Sequence, residues 1–200
     1  MAVGSHPHAP ARYPSLVDEL PLTHEALEFA AARHDGQWRE ADRAPFILHP
    51  LEVAQLLRGR ALRDEVIAAA VLHDVVEDAG VDLAELRDRF GPEVASLVGA
   101  VTEPSADGSY RERKSLLRTA VAGAGKDALM IYVADKVAKT RELRMSLART
   151  PSAEADPEKL EHYWASLTLL EARLPGHPLV QQLRFELETL ELLPPRPDHA

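Results

Sequence analysis

A run of apolar residues that ends in a cluster of polar ones constrains this chain more than any other feature. Residues Val66–Val71 are all apolar, and His73, Asp74, Glu77 and Asp78 follow them closely. An apolar run of this kind predicts a buried helix. Burying this many unpaired polar groups would cost several kcal/mol per group. A metal ion with phosphate chemistry around it is the usual reason for a protein to accept that cost.

The spacing of these polar residues indicates that they act together. On one helix from Asp64 to Asp78, His73 and Asp74 point about 100° apart, so both can reach an ion at the helix flank. Glu77 and Asp78 each follow one of them by four residues and lie one turn further along the same face. The helix is therefore expected to present two candidate ligands and then two carboxylates.

Two further residues would complete a metal site. His49 precedes Pro50, which suits the first position of a helix. Asp135 follows the apolar run Ala128–Ala134, so its carboxylate is expected in or near the core. Taken singly, His49 is more often a capping or loop residue and Asp135 more often pairs with a lysine. Together, two imidazoles and two carboxylates suit a divalent ion that activates water and polarises a phosphoryl oxygen.

The remainder of the chain predicts an all-α fold. No useful stretch alternates with period two, and 46% hydrophobic residues are ample for a core. Short loops favour a compact bundle of about eight to ten helices. The predicted helices span about 23–34, 50–58, 64–78, 82–91, 92–102, 110–122, 126–145, 157–174 and 178–193.

Composition narrows the classes of partner and location. We expect one domain at 21–193, between a flexible N-terminal tail at 1–20 and a C-terminal tail at 194–200. The absence of cysteine and of a signal-peptide core is compatible with the cytoplasm. No apolar run approaches the about 20 residues of a membrane span. The net charge of −9 argues against nucleic-acid and anionic-membrane partners, but not against a small phosphorylated ligand.

Several segments resemble HD-domain phosphohydrolases. The chain is most similar to the hydrolase domain of RelA/SpoT enzymes and to the stand-alone small alarmone hydrolases. The most specific match is Leu72–Asp78 (LHDVVED) with the upstream Ile47–Pro50 (ILHP). Within a similarity that runs from about residue 22 to 145, the other matching segments are 32–39, 45–54, 90–98, 101–102 and 134–136.

The resemblance implies a role for each matching residue. Four residues match the metal ligands, for which Mn²⁺ is the usual ion: His49, His73, Asp74 and Asp135. Glu77 and Asp78 match the acidic pair that positions or activates the attacking water, and Arg39 matches an arginine in the loop over the nucleotide base. The implied reaction removes the 3′-pyrophosphate from the stringent-response alarmone (p)ppGpp, giving GDP or GTP and pyrophosphate.

The chain also departs from the family pattern. The family usually has an asparagine four residues after the last ligand, where this chain has Lys139. Lys139 is either a new cation at the nucleotide pocket or a surface lysine, and both interpretations stay open here. The segment from Arg39 to Pro45 is slightly longer than in many bacterial relatives, which affects how Arg39 would reach the base.

Other polar residues have supporting roles in this prediction. Three cations are expected to bind substrate: Arg39, Lys136 and Lys139. Lys114 and Arg111 are further candidates for phosphate contacts. His34 is expected to support the metal ligands without binding the ion, or else to be a helix-end cation. His162 and Tyr163 are expected to pack as ordinary structural residues.

The sequence leaves the substrate partly open. The leading hypothesis is a (p)ppGpp hydrolase. A second keeps the metal but changes the nucleotide to (p)ppApp or NADPH. A third is a nucleotide-binding regulatory module with weak catalysis, against which Glu77 and Asp78 argue. No synthetase region is recognised after the hydrolase segment, so a bifunctional enzyme is not expected. The oligomeric state is not indicated.

Overall fold

The computed structural model describes residues 20–104, 107–149 and 155–192. These residues are all-α, as predicted, apart from one isolated antiparallel bridge between Trp38 and Pro45. Their helices are α1 (Pro21–Arg33), α2 (Leu48–Leu57), α3 (Asp64–Leu72), α4 (Val75–Ala79), α5 (Leu83–Val101), α6 (Tyr110–Ala124), α7 (Lys126–Arg149), α8 (Pro157–Arg173) and α9 (Pro178–Glu191). The predicted tails lie outside the described residues, except for residue 20, and the single-domain division stays a prediction.

Helix α7 is the centre of the fold. It packs against α2, α3, α5, α6, α8 and α9. Its first half is buried from Ala128 to Ala138 without interruption, so Asp135 and Lys136 are enclosed together with apolar neighbours. A helix that is apolar on every side is stable only when other helices surround it. The arrangement therefore carries Asp135 into the interior, as the sequence predicted.

One carboxylate joins the start of α1 to the start of α3, in addition to the apolar packing of the two helices. Asp64, at the start of α3, accepts hydrogen bonds from the Leu22 and Thr23 amides at 2.8 and 2.9 Å and from the Thr23 hydroxyl at 2.6 Å. The first amides of a helix have no partner within the helix, and an acceptor side chain satisfies them. Helix α1 begins at Pro21, slightly before the predicted start at Thr23, and a neighbouring helix caps it.

The predicted helix from Asp64 to Asp78 is wrong in its continuity, because α3 ends at Leu72 and α4 begins at Val75. His73 Nδ1 lies 2.8 Å from the Ala70 carbonyl. In a continuous helix that carbonyl would accept the Asp74 amide, and a side chain inserted in this way breaks the hydrogen-bond ladder. His73 and Asp74 therefore lie at a bend between two helices.

The predicted boundary between the helices at 82–91 and 92–102 is confirmed. Helix α5 is interrupted at Gly91, whose φ of 89° and ψ of 165° are not helical, directly before Pro92. The Asp82 side chain caps its start by accepting a hydrogen bond from the Ala84 amide at 2.9 Å.

Among the described residues, we find no helix that combines the length and the apolar character needed to cross a membrane.

Candidate active site

Three separate segments bring the predicted metal ligands together. His49 lies in the first turn of α2, which begins at Leu48, so the predicted helix start at Pro50 is corrected by two residues. His73 and Asp74 come from the bend between α3 and α4, and Asp135 comes from the buried half of α7. All four side chains are buried.

The potential ligand atoms converge within a few ångströms. His49 Nε2 lies 3.3 Å from His73 Nε2 and 3.2 Å from Asp135 Oδ1. Asp74 Oδ2 lies 3.1 Å from His73 Nε2 and 3.4 Å from His49 Nε2. Neighbouring ligands that are each about 2.1 Å from an ion lie about 3.0–3.4 Å apart. The observed separations therefore match the edges of a coordination polyhedron.

Hydrogen bonds fix which imidazole nitrogen faces the cluster. His73 Nδ1 lies 2.8 Å from the Ala70 carbonyl, and His49 Nδ1 lies 2.9 Å from Glu142 Oε1. Because both oxygens accept, each Nδ1 carries a proton, and Nε2 of each ring faces the carboxylates and offers a lone pair to a cation when the ring is neutral. Asp74 Oδ2 is buried with no hydrogen-bond donor among the described residues. Four facing electron pairs fit a bound cation.

The close packing of charged groups in the cluster shifts their pKa values. Burial would lower the pKa of His73, but the Asp74 and Asp135 carboxylates raise it to about 10. Burial would raise the pKa of Asp135, but Lys136 and Lys139 hold it well below its usual range. Without an ion, a proton on His73 and these two ammonium groups balance the carboxylates. The site thus has a strong demand for positive charge.

The predicted acidic pair stands beside this cluster. Glu77 and Asp78 lie on α4, just beyond the bend. Partial withdrawal from water raises the pKa of both carboxyls, and the Asp74 carboxylate raises them further. Glu77 Oε1 also accepts a hydrogen bond from the Glu103 amide at 2.5 Å. Carboxyls with raised pKa values are suited to accept a proton near neutral pH.

A cavity of about 910 Å³ opens next to the cluster. Its wall includes all three cations predicted to bind substrate: Arg39, Lys136 and Lys139. The predicted phosphate contact Lys114 also lines it, whereas Arg111 is exposed outside this wall and pairs with Glu161. Asp78 lines the cavity as well, so the cavity adjoins the acidic pair. Its volume lies in the range of small-molecule sites.

Arg39 is less free to bind substrate, and His34 is less closely connected to the metal ligands, than the sequence indicated. The Arg39 guanidinium is buried and forms ion pairs with Asp42 and, at 3.5 Å, with Glu142. His34 is buried, and its Nδ1 lies 2.7 Å from Gln37 Oε1. Its positive charge would lower the pKa of Asp78, which places it near the acidic pair. The structure shows no hydrogen bond from His34 to the four clustered residues.

Sequence reasoning missed several residues of the site. Glu142 binds His49 across a separation of 93 residues, which no local pattern reveals. Lys159 and Trp38 line the cavity, and so do His162 and Tyr163, which the sequence indicated only as packing residues. Tyr163 is indeed buried in the core, and its ring lies 5.9 Å from Lys136 Nζ. Trp38 is 60% exposed, although it is a large aromatic residue.

Comparison with known proteins agrees with this geometry. A family model described as HD domain matches residues 26–155. Over 71% of its length, the chain is 34% identical to guanosine-3′,5′-bis(diphosphate) 3′-pyrophosphohydrolase MESH1 of Xenopus tropicalis, of which the match covers 79%. It is also 40% identical, over 46% of its length, to an Aquifex aeolicus protein of the same enzymatic name, but spans only 13% of that longer protein.

A solved structure shares the fold. It is described as a metazoan orthologue of SpoT that hydrolyses ppGpp and acts in starvation responses. It superposes with a TM-score of 0.71 at 29% identity, covering 92% of this chain and all of the other. The family model, this superposition and the clustered histidines and aspartates agree, and the chain belongs to the HD-domain family, with relatives that include proteins named as ppGpp pyrophosphohydrolases.

Proposed function

We propose that the chain is a metal-dependent hydrolase that removes the 3′-pyrophosphate from (p)ppGpp. The observation that carries this proposal is the convergence of four lone-pair atoms, from His49, His73, Asp74 and Asp135, beside a cationic cavity. Relatives at 34% and 35% identity bear the name of this activity. The substrate is accordingly a small nucleotide with a pyrophosphate on its ribose.

The four clustered residues would hold one divalent ion. Their mixed nitrogen and oxygen donors suit Mn²⁺, which we propose as the native ion, although other divalent ions suit the same donors. A divalent ion in such a site lowers the pKa of water and polarises a phosphoryl oxygen. The roles of Glu142 and Ala70 are to keep the two imidazoles in the orientation that points Nε2 inward.

Glu77 and Asp78 would handle the attacking water. Their carboxyls adjoin the cluster, and their raised pKa values favour accepting a proton. Water adds to the phosphorus next to the ribose, the bond from that phosphorus to the 3′-oxygen breaks, and the 3′-oxygen takes up a proton. The products are pyrophosphate and GDP or GTP. Proton transfer of this kind typically contributes about 10²–10⁴-fold to the rate.

Cavity residues would bind the remainder of the nucleotide. Lys136 and Lys139 lie beside Asp135, at the end of the cavity that adjoins the cluster, and suit phosphate oxygens there. Lys114 and Lys159 add positive charge elsewhere in the wall. Arg39 is tied to Asp42 and Glu142, so we propose that it shapes the loop next to the base more than it contacts phosphate.

A substrate panel tests the activity. The protein is incubated with Mn²⁺ and ppGpp, ppApp, NADPH or simple nucleotides, and released pyrophosphate and phosphate are measured separately. We expect pyrophosphate and GDP from ppGpp. Release from ppApp or NADPH in preference to ppGpp would favour the second hypothesis, and binding of ppGpp without turnover would favour a regulatory module. No hydrolysis of any 3′-pyrophosphate would overturn the proposal.

Two variants separate metal binding from proton transfer. His73→Ala should lose both bound Mn²⁺ and turnover, because it removes a donor atom. Asp78→Asn should keep Mn²⁺ and lose about 100-fold or more in kcat, because it removes only the proposed proton acceptor. Full activity of His73→Ala after chelation of adventitious metal would refute the ligand set.

A cytoplasmic location and a part in the stringent response belong to the same proposal.

A further inference from the structure

Lys139 occupies an unusual place for a cavity cation, because it touches both carboxylates of the proposed metal site. Its Nζ lies 3.3 Å from Asp135 Oδ1 and 3.5 Å from Asp74 Oδ1. Lys136 Nζ lies 2.7 Å from Asp135 Oδ2, and no contact with Asp74 is seen for it. Among the lysines and arginines that the structure describes, Lys139 is thus the one that contacts both carboxylates.

This position makes Lys139 and a metal ion rivals for the same negative charge. Asp135 Oδ1 is also the atom that lies 3.2 Å from His49 Nε2, so it belongs to the ligand cluster itself. A positive ion bound at the cluster would therefore stand a few ångströms from the Lys139 ammonium. Like charges at that distance repel strongly in a partly buried site. At the same time, Lys139 stabilises the two buried carboxylates whenever no ion is present.

We infer that Lys139 is a resident counter-cation of the metal site, which stabilises the ion-free protein and weakens its hold on a divalent ion. The inference rests on the proposed metal site but not on its substrate. Thermodynamic coupling requires both effects to be equal: by whatever factor Lys139 weakens ion binding, the ion weakens the stabilisation by Lys139. The Lys139 side chain is 34% exposed and lines the cavity. An ammonium that a bound ion displaces from the two carboxylates therefore has room on the substrate side.

The consequence is an enzyme that folds fully without its ion and binds it reversibly. The site would fill at higher free concentrations of divalent metal than the same site without this lysine. The stability of the ion-free state would come from the protein's own charges. This role adds to the phosphate contact proposed above for Lys139, and it differs from that of an incidental surface lysine.

The test measures metal affinity and stability without substrate. The chelated protein and its Lys139→Met, Lys139→Arg and Lys159→Met variants are titrated with Mn²⁺, and unfolding is followed with chelator and with saturating Mn²⁺. Lys159→Met is the matched control, because Lys159 lines the same cavity and no ion pair with Asp74 or Asp135 is seen for it. Lys139→Arg keeps the charge.

We expect Lys139→Met to bind Mn²⁺ about tenfold more tightly, or better, than the parent chain. Its unfolding temperature should fall in chelator and recover in saturating Mn²⁺. Lys139→Arg should stay near the parent affinity, and Lys159→Met should change it less than about threefold because its charge is more distant. Mn²⁺ binding by Lys139→Met that is unchanged or weaker would overturn this inference alone. Absence of Mn²⁺ binding in every protein would overturn the metal site as well.

Discussion

His49 shows at the scale of one residue how the site is prepared for a cation. Its Nε2 faces His73 and Asp135, while its Nδ1 donates to Glu142 Oε1 at 2.9 Å. A histidine ligand bound on its far side by a carboxylate is fixed in both tautomer and ring orientation, which raises its strength as a donor. Glu142 also lies 3.5 Å from the Arg39 guanidinium, so one carboxylate connects the ligand cluster with the loop over the cavity.

Removal of this carboxylate should weaken metal binding without removing a ligand. We expect Glu142→Leu to lower the Mn²⁺ affinity by about 10–100-fold, the usual effect of losing such a partner. The Mn²⁺ affinity of Glu142→Gln should lie between those of Glu142→Leu and the parent chain, because the amide oxygen can still accept a hydrogen bond from His49 Nδ1. Titration of the chelated proteins measures the effect, and Glu40→Leu is the control, since Glu40 lines the same cavity. An affinity of Glu142→Leu equal to that of the parent chain would contradict this role.

Trp38 is an exposed aromatic residue at the cavity wall, and we expect it to stack on the base of a bound nucleotide. Its neighbour Arg39 is buried in ion pairs, whereas Trp38 is 60% exposed at the cavity wall. The bridge to Pro45 and the hydrogen bond from the Phe46 amide to the Gln37 carbonyl at 2.9 Å hold its backbone in place. Aromatic stacking on a base is worth about 1–3 kcal/mol.

Nucleotide binding should therefore be visible in the fluorescence of Trp38. The chain has two tryptophans, so the Trp164→Phe variant reports on Trp38 alone. We expect ppGpp to quench its emission and inorganic pyrophosphate, which lacks a base, to leave it unchanged. Trp38→Leu should raise KM for ppGpp by about tenfold with little change in kcat. Equal quenching by pyrophosphate would show that Trp38 does not contact the base.

At the scale of helices, α6 and α8 meet through a histidine that the fold keeps neutral. Arg118 on α6 donates from Nη1 to His162 Nδ1 on α8 at 2.7 Å. Burial, with Lys136 and Lys114 nearby, lowers the pKa of His162 to about 2. Protonation would place a positive ring against the guanidinium, so the folded state resists it.

This contact predicts a loss of stability in mild acid. The unfolded chain binds a proton at His162 below about pH 6.5, whereas the folded chain does not, so the free energy of unfolding falls as the pH drops below that value. Between about pH 7.5 and 5.5 the contribution lost is about 1.4 kcal/mol. Urea unfolding should show His162→Gln losing less stability than the parent chain by that amount. Identical pH profiles would mean that His162 does not resist protonation.

Helix positions were largely predictable because they depend on local patterns. The break at Gly91 and Pro92 and the buried run of α7 follow from residue types within a few positions. The bend at His73 was missed, because the bond from its ring to the Ala70 carbonyl competes with a helix that the periodicity favours. The contact of Glu142 with His49 was missed for a different reason, since it depends on how two distant helices pack.

At the scale of the whole molecule, an acidic chain must admit an anionic substrate. The net charge is −9, yet five cations line the cavity: Arg39, Lys114, Lys136, Lys139 and Lys159. Carboxylates neutralise four of these in part: Asp42 pairs with Arg39, Glu103 with Lys114, Asp135 with Lys136, and both Asp74 and Asp135 with Lys139. Burial and the nearby Lys139 lower the pKa of Lys159 against the opposing charges of Glu40 and Glu142. Among the described residues, no ion pair is seen for Lys159.

Substrate binding should therefore weaken with salt through Lys159 in particular. Raising NaCl from about 50 to about 500 mM shortens the range of electrostatic attraction to a few ångströms. We expect KM for ppGpp to rise by about tenfold while kcat stays nearly constant, because exposed charges are screened more than buried ones. Lys159→Met should start from a higher KM and show a flatter dependence. Lys126→Met, at the start of α7 and outside the cavity wall, should keep the parent slope. If Lys159→Met and the parent chain have the same slope, attraction by the cavity does not depend on Lys159.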